Sequence, residues 1–312
     1  MSRVGDLPST AILLLAFGSP NSVDEVAAFL ERLMGEKPAA AHVAELQQRY
    51  QAIGGASPLS ETIMRQAAAL REALAGRGRP LMAFAGMRYS RPLIAETLEE
   101  IRKRGISRII LISLSPYHSS FTTEGYYAEV RRIISPWNDG MELIPVAHWH
   151  AHPLLCAAWA ERITQDMGHG TKKEKDIPVI FTAHSLPQKV ADGSPYVRQL
   201  EETIQGIIQI TGPLYWRLAF QSRGRGAEAW LEPEPTAILE GILSEGHRQA
   251  VICPIGFISD HLETLYDLDI VLKAWANKQG IEISRTPCLN DAPPLIEVFV
   301  QLVEQAVEVE GT

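Results

Sequence analysis

Short runs of consecutive apolar residues alternate along the chain with longer stretches whose apolar positions recur every three or four residues. The runs RIILISL and AVICPI carry no polar alternation, as strands do when both faces of their sheet are covered. Such runs predict strands near 11–16, 81–85, 108–113, 141–146, 178–183, 215–220, 249–254 and 282–284. The amphipathic stretches between them predict helices near 22–34, 40–52, 57–76, 92–104, 122–135, 152–167, 195–208, 235–245, 261–277 and 291–309. Strand and helix in regular alternation predict an α/β class with parallel sheets.

The pattern also repeats itself. AILLLAFGSP near the start resembles PVIFTAHSLP in the second half, each a strand followed by a proline that ends it. TLEEIRKRGISRIILISLSP resembles ILEGILSEGHRQAVICPIGF, each a helix, a glycine stop and a hydrophobic strand. Two similar halves of about 145 residues account for the length. The expected division is 1–148, 149–288, and a last helix within 289–312 that folds back over the first half. Aligning Pro20 with Pro187 sets Phe17 against His184. Both then lie at the carboxyl ends of strands, where open α/β sheets bind ligands.

Composition narrows the function classes. The chain of 312 residues is 46% hydrophobic and 21% charged, ordinary for a globular protein, with a net charge of -8 that disfavours a nucleic-acid partner held through phosphate neutralisation. The seven apolar residues 11–17 are too short for a membrane span and read as a buried strand, so no transmembrane segment is expected and the cytoplasm is the expected address. Cys156, Cys253 and Cys288 stand at unrelated spacings, which fits neither a disulfide framework nor a cysteine metal site.

The chemistry concentrates in a few places. SDHLETLYDLD (259–269) packs four carboxylates and a histidine into eleven positions. On a helix, Glu263 and Asp267 would sit one turn apart and repel by roughly 0.2–0.5 kcal/mol. Either the face is simply solvated or something relieves the repulsion. His184 follows an apolar strand, as a structural group or as an imidazole able to take a proton and bind a divalent metal. With Glu263 it could form an imidazole–carboxylate pair facing across a cleft, suited to ferrous iron and its neighbours.

HWHAH sets His148, His150 and His152 at alternate positions, either as a metal site or as a solvated connector before Pro153. Gly224, Gly226 and Ala229 loosely match a dinucleotide fingerprint, but the prolines at 233 and 235 forbid the helix that should open there. Ser185 lacks a nucleophile elbow, which disfavours a serine hydrolase. Arg49 and Tyr50 precede a Gly54-Gly55 turn and Ser57, an expected N-cap; Arg88 and Tyr89 follow a strand, and Tyr126 opens a helix. Such groups suit carboxylate ligands.

In order along the chain, LLLAFGSP, RYQAIGGASPL, AGMRYSRP, SPYHSSFTTEGYY, FTAHSLP, FQSR, WLEP and GFISDHLETLYDLD resemble the ferrochelatase family, in its short bacterial form acting on coproporphyrin III. The resemblance spans nearly the whole chain. It implies two similar Rossmann-like, chelatase-type domains, each with a four-stranded parallel sheet flanked by helices, and a porphyrin cleft. It implies that His184 and Glu263 are the metal and proton groups, with Asp267 leading onward. Arg49, Tyr50, Ser57 and Tyr126 fall on porphyrin-contacting positions, and Arg88 and Tyr89 line the same cleft.

The implied partners are a porphyrin and ferrous iron, with transient contact to neighbouring enzymes of the haem pathway; no nucleic acid is expected. Iron enters as substrate, and neither a tightly bound cofactor nor an iron–sulfur cluster is expected. Three departures bear on the details: Phe17 replaces an iron-ligating tyrosine, Leu33 or Met34 a propionate-binding arginine, and Val271 the next acid of the ridge. The expected reaction is iron insertion into coproporphyrin III, giving coproheme. The alternatives are the same reaction on protoporphyrin IX, and a porphyrin or haem carrier without catalysis.

Overall fold

The computed structural model describes residues 10–167, 177–224 and 228–308. The chain divides into two compact units. Unit 1 takes the chain up to Val43, Pro58–Trp149 and the chain from Asn290; unit 2 takes Ala44–Ser57 and His150–Leu289. This differs from a division in chain order at 148 and 288 by one segment. The chain passes into unit 2 within α2 (Ala40–Ala52) and leaves it after Gly54 and Gly55, whose φ of 101° and 93° a side chain would resist.

Unit 1 holds a parallel sheet of β1 (Thr10–Ala16), β2 (Met82–Met87), β3 (Arg108–Ser113) and β4 (Glu142–Pro145) in the order β2-β1-β3-β4. The absence of alternation in these runs has its expected cause. Ala11, Leu13 and Leu15 pack with Ile94, Leu98 and Ile101 of α4 (Ile94–Lys103) and with Tyr126, Tyr127 and Val130 of α5 (Thr123–Ile134). Ile12 and Leu14, on the opposite face, are equally excluded from solvent. Burial of side chains this size is worth about 1.5–3 kcal/mol each.

Helix α3 (Leu59–Gly76) carries α11 (Pro293–Glu308). Gln66 Nε2 donates to Asn290 O at 2.6 Å, and Arg65 and Arg77 pair with Asp291 and Glu297. One capping expectation fails: Pro58, with φ −73° already suited to a helix, takes the N-cap of α3, and Ser57 lies buried one residue upstream. The Tyr127 hydroxyl donates to Val146 O at 2.6 Å or Leu111 O at 3.1 Å and accepts from Ser113 N at 3.3 Å, tying the ends of β3 and β4 together.

Unit 2 repeats the plan with β5 (Val179–His184), β6 (Trp216–Gln221), β7 (Gln249–Cys253) and β8 (Glu282–Arg285), parallel in the order β6-β5-β7-β8. Ile180, Ala219, Ala250 and Ile252 pack against Leu239 and Ile242 of α9 (Pro235–Ser244) and against Leu268 and Leu272. Helices α6 (Pro153–Asp166) and α8 (Tyr196–Thr211) pack on each other. The short α7 (Gln188–Asp192) has no counterpart among the predicted elements.

The larger departure falls in SDHLETLYDLD. The regular helix expected over 261–277 is instead a π-helix, Glu263–Leu272, that continues as α10 (Lys273–Gln279). No helix among the described residues is long and apolar enough to cross a membrane.

The Tyr127 hydroxyl offers a test of the unit 1 framework. Tyr127→Phe keeps the ring and strands buried backbone groups, an expected loss of about 1–3 kcal/mol read as a lowered urea-unfolding midpoint. An unchanged midpoint would show that water replaces the hydroxyl there.

Candidate active site

In the order β6-β5-β7-β8 the direction of winding reverses between β5 and β7, the point at which open α/β sheets form ligand crevices. His184 is the last residue of β5, and the chain leaving β7 turns back across that strand end. Gly256 N donates to Thr182 O at 3.0 Å. A Cβ at 256 would lie 2.6 Å from Ala183 Cα, so only glycine permits this approach. The loop thereby delivers Glu263, first residue of the π-helix, with Oε1 3.4 Å from His184 Nε2.

This corrects the expectation that the two side chains face each other across a cleft. Both belong to unit 2 and touch, leaving no room for a macrocycle between them. Their side chains are 35% and 29% exposed, enough for a ligand to reach both from one side.

The hydrogen bonds fix the imidazole. His184 Nδ1 lies 2.5 Å from Ser185 O, an acceptor only, so Nδ1–H donates and Nε2 points at the carboxylate. The Tyr196 hydroxyl holds the backbone by donating to His184 O at 3.0 Å. His261 mirrors the arrangement: its Nδ1 donates to Ser259 O at 3.2 Å, and its Nε2 stands 3.6 Å from Glu263 Oε2. Each carboxylate oxygen thus faces one imidazole.

Burial alone would lower the His184 pKa, but the charge and hydrogen bond of Glu263, with the Ser185 carbonyl and Asp267, raise it from 6.5 to about 9. Burial would likewise raise Glu263, but His184 and His261 hold it well below the usual carboxylate range. The resting pair is therefore imidazolium and carboxylate. Glu263 Oε2 is buried, and its polar neighbour is His261 Nε2 at 3.6 Å, longer than an ordinary hydrogen bond.

The four carboxylates of 259–269 turn out to be relieved separately. Arg285 holds Asp260 at 2.8 Å and both oxygens of Asp269 at 2.7 and 2.8 Å. The histidines hold Glu263. Ser222 Oγ donates to Asp267 Oδ2 at 2.5 Å from a residue with φ 58°, a left-handed conformation costing about 1–3 kcal/mol in a serine. Burial raises the Asp267 pKa against the Ser222 bond and the charges of Arg49 and His261. Of Glu263 and Asp267, Asp267 is thus the readier to accept a proton.

The remaining candidates fall into two groups. In unit 2, Tyr50 is buried within reach of the Glu263 charge, and Arg49 pairs with Glu45 at 2.9 Å and lies 5.6 Å over the Tyr266 ring. In unit 1, Arg88 pairs with Glu129 at 3.0 Å and lies over Tyr89, with Tyr126 buried beside them. Phe17 packs 4.6 Å from Tyr89 and 6.2 Å from Phe29, so an aromatic cluster occupies the end of β1 where unit 2 has its imidazole.

Other motifs prove structural. His150 is buried against Glu202 at 2.6 Å, and His152 caps α6 by accepting from Leu154 N, so the three histidines of HWHAH do not converge. Ser185 is buried and donates to Leu231 O. The Gly224–Ala229 fingerprint lies partly outside the described residues. Among the described residues no three His, Cys, Asp or Glu side chains stand ready to close around a metal ion.

Sequence reasoning missed His261, Ser222, Gly256 and Arg285. His261 had a signal, two positions before Glu263 in the same acidic stretch. Arg285 had none, because its partners depend on the register of β7 with β8.

Known proteins share this framework. SirB from Bacillus subtilis, solved with Fe3+, superposes with a TM-score of 0.62 at 12% identity over 97% of this chain and 98% of its own. DR2241 from Deinococcus radiodurans, a multi-domain protein with structural similarity to chelatases, gives 0.53 at 16% identity over 96% of this chain and 55% of its own. The fold is that of the metal chelatases.

The sequence is more particular. The Ferrochelatase family description matches residues 9–307. The ferrochelatase of Herpetosiphon aurantiacus is 34% identical over 94% of this chain and 98% of its own, and that of Deinococcus radiodurans 33% over 98% of each. The chain belongs to the ferrochelatase family, metal chelatases that insert iron into a porphyrin for haem synthesis.

The charge state of the pair is testable in the metal-free protein. Histidine NMR should titrate His184 near pH 9, and Glu263→Gln should move that value down. The raised His184 pKa contributes stability that is full below 6.5 and lost as pH rises through about 9. The lowered Glu263 pKa contributes stability present above 4.5 and lost in acid. The stability gap between parent and Glu263→Gln should therefore be widest between pH 4.5 and 6.5 and shrink toward pH 9. A gap that widens toward pH 9 contradicts the assignment.

Proposed function

We propose that this ferrochelatase inserts ferrous iron into coproporphyrin III, giving coproheme, in the cytoplasm. The observation that carries the mechanism is the contact between His184 Nε2 and Glu263 Oε1 at the strand end. The choice of porphyrin rests on the ordered run of motifs shared with the short bacterial enzymes.

Metallation removes two protons from the pyrrole nitrogens while a hydrated ferrous ion loses water. A flat macrocycle presents its nitrogen lone pairs poorly, so binding at the periphery must offset distortion at the centre. Arg49, Tyr50, Ser57, Arg88, Tyr89 and Tyr126 supply that peripheral binding, the buried tyrosines by backing their arginine neighbours.

His184 and Glu263 meet the metal and the protons. In the resting pair Nε2 carries a proton, so the imidazole serves as base or ligand only after that proton leaves. An approaching dication repels it. Glu263 and then Asp267, whose carboxyl is the readier of the two to be protonated, take it outward along the π-helix. The solvent-exposed Val271 ends this acidic line, and protons pass from Asp267 to water rather than to a further carboxylate.

His184→Ala should abolish iron insertion and leave porphyrin binding, followed by fluorescence, within about tenfold of the parent. Glu263→Gln should depress kcat by on the order of 100-fold and Asp267→Asn by about tenfold. Equal losses would remove the ranking of the two acids.

Initial rates on coproporphyrin III and protoporphyrin IX test the substrate. Faster metallation of protoporphyrin IX would reverse the assignment, and a spectral shift without metallation would mark a carrier.

A further inference from the structure

A π-helix of ten residues is unusual, since this geometry normally occurs as a single inserted turn, often at a functional site. Something outside the helix must hold it. Arg285 is the last residue of β8, and its pairing with Ile252 of β7 fixes where its side chain emerges. Its side chain is 12% exposed. Nε and one terminal nitrogen form a fork onto Asp269 at 2.7 and 2.8 Å; the other terminal nitrogen reaches Asp260 Oδ1 at 2.8 Å and Thr286 O at 3.3 Å.

The two carboxylates lie on either side of Glu263, one in the loop before it and one within the π-helix after it. The clamp extends further toward the reacting groups. The Thr264 hydroxyl lies 3.2 Å from Asp260 Oδ1 and accepts from His261 N at 3.0 Å. One cation thus ties together the loop entering the π-helix, the backbone of His261 and the second turn of the helix. A lysine would supply the charge without the planar fork.

We propose that Arg285 is a positioning residue for metal insertion, which acts through Asp260 and Asp269 to hold Glu263 in contact with His184. It touches neither porphyrin nor iron. The inference rests on the reading that His184 and Glu263 carry the chemistry.

The test separates the two. Arg285→Met should lower kcat for ferrous insertion at least tenfold while the KM for porphyrin changes less than threefold. In a Glu263→Gln background the same change should cost less than twofold, because the group it positions is gone; a residue that merely supports the fold would cost the same in both. Arg285→Lys should recover only part of the loss.

The imidazole 15N shifts of His184 in the metal-free protein provide an arm independent of activity. They should move in Arg285→Met and stay put in Arg77→Met, which removes an ion-paired arginine from unit 1. Should Arg285→Met fail to fold, Asp269→Asn, which removes only the forked half of the clamp, should give the same pattern at smaller amplitude. If either folded variant keeps kcat within twofold and leaves the His184 shifts unchanged, the inference is overturned. An inactive parent whose shifts still respond to Arg285→Met would overturn the chemical reading and leave the positioning role standing.

Discussion

The contact on which the site depends joins an imidazole at the end of one strand to a carboxylate that the chain delivers after its neighbour. Neither group would take up this arrangement alone. A half-buried imidazole would lose its proton and a half-buried carboxylate would gain one; together each stabilises the other's charge. The pair also explains why the loop after β7 must lie against the end of β5, and hence why position 256 has no side chain. Parallel strand order, glycine and ion pair form one chain of cause, from sheet topology to chemistry.

Four carboxylates in eleven residues pose an electrostatic problem, which the fold resolves unevenly. Asp260 and Asp269 are neutralised by the partly buried Arg285, an arrangement whose value is more geometric than energetic, since partial desolvation of such ions offsets much of what their attraction returns. Glu263 is matched by the imidazoles of His184 and His261. Asp267 has only a hydroxyl and the more distant charges of Arg49 and His261. The outer carboxylates are therefore locked, and the inner two remain free to exchange protons or meet a cation. The repulsion expected from the sequence is converted into a difference of proton affinity between Glu263 and Asp267.

Much of this was legible in advance because the controlling signals are local. Every strand and every long helix follows from the spacing of apolar residues, and the end of β5 is marked by the change from FTA to a polar imidazole. What escaped detection is set by tertiary contacts. The π-helical register, the arginine behind it, and the serine twisted to φ 58° to reach Asp267 all depend on which strands pair and in what register. The pair itself was identified, but its geometry was not. Two groups nearly eighty residues apart can meet across a gap or side by side, and only the order β6-β5-β7-β8 decides for direct contact.

The internal repetition sharpens the division of labour. Both units use the same strand order, and in both the strand that sits second in that order ends where a ligand crevice forms. At that position unit 1 has Phe17, packed with Phe29 and Tyr89, and unit 2 has His184. The aromatic cluster, its rings tilted by 59° to 79°, presents apolar surface, whereas the imidazole–carboxylate pair presents charge and exchangeable protons. In the function proposed above, coordination and proton removal fall to the contact at the end of β5.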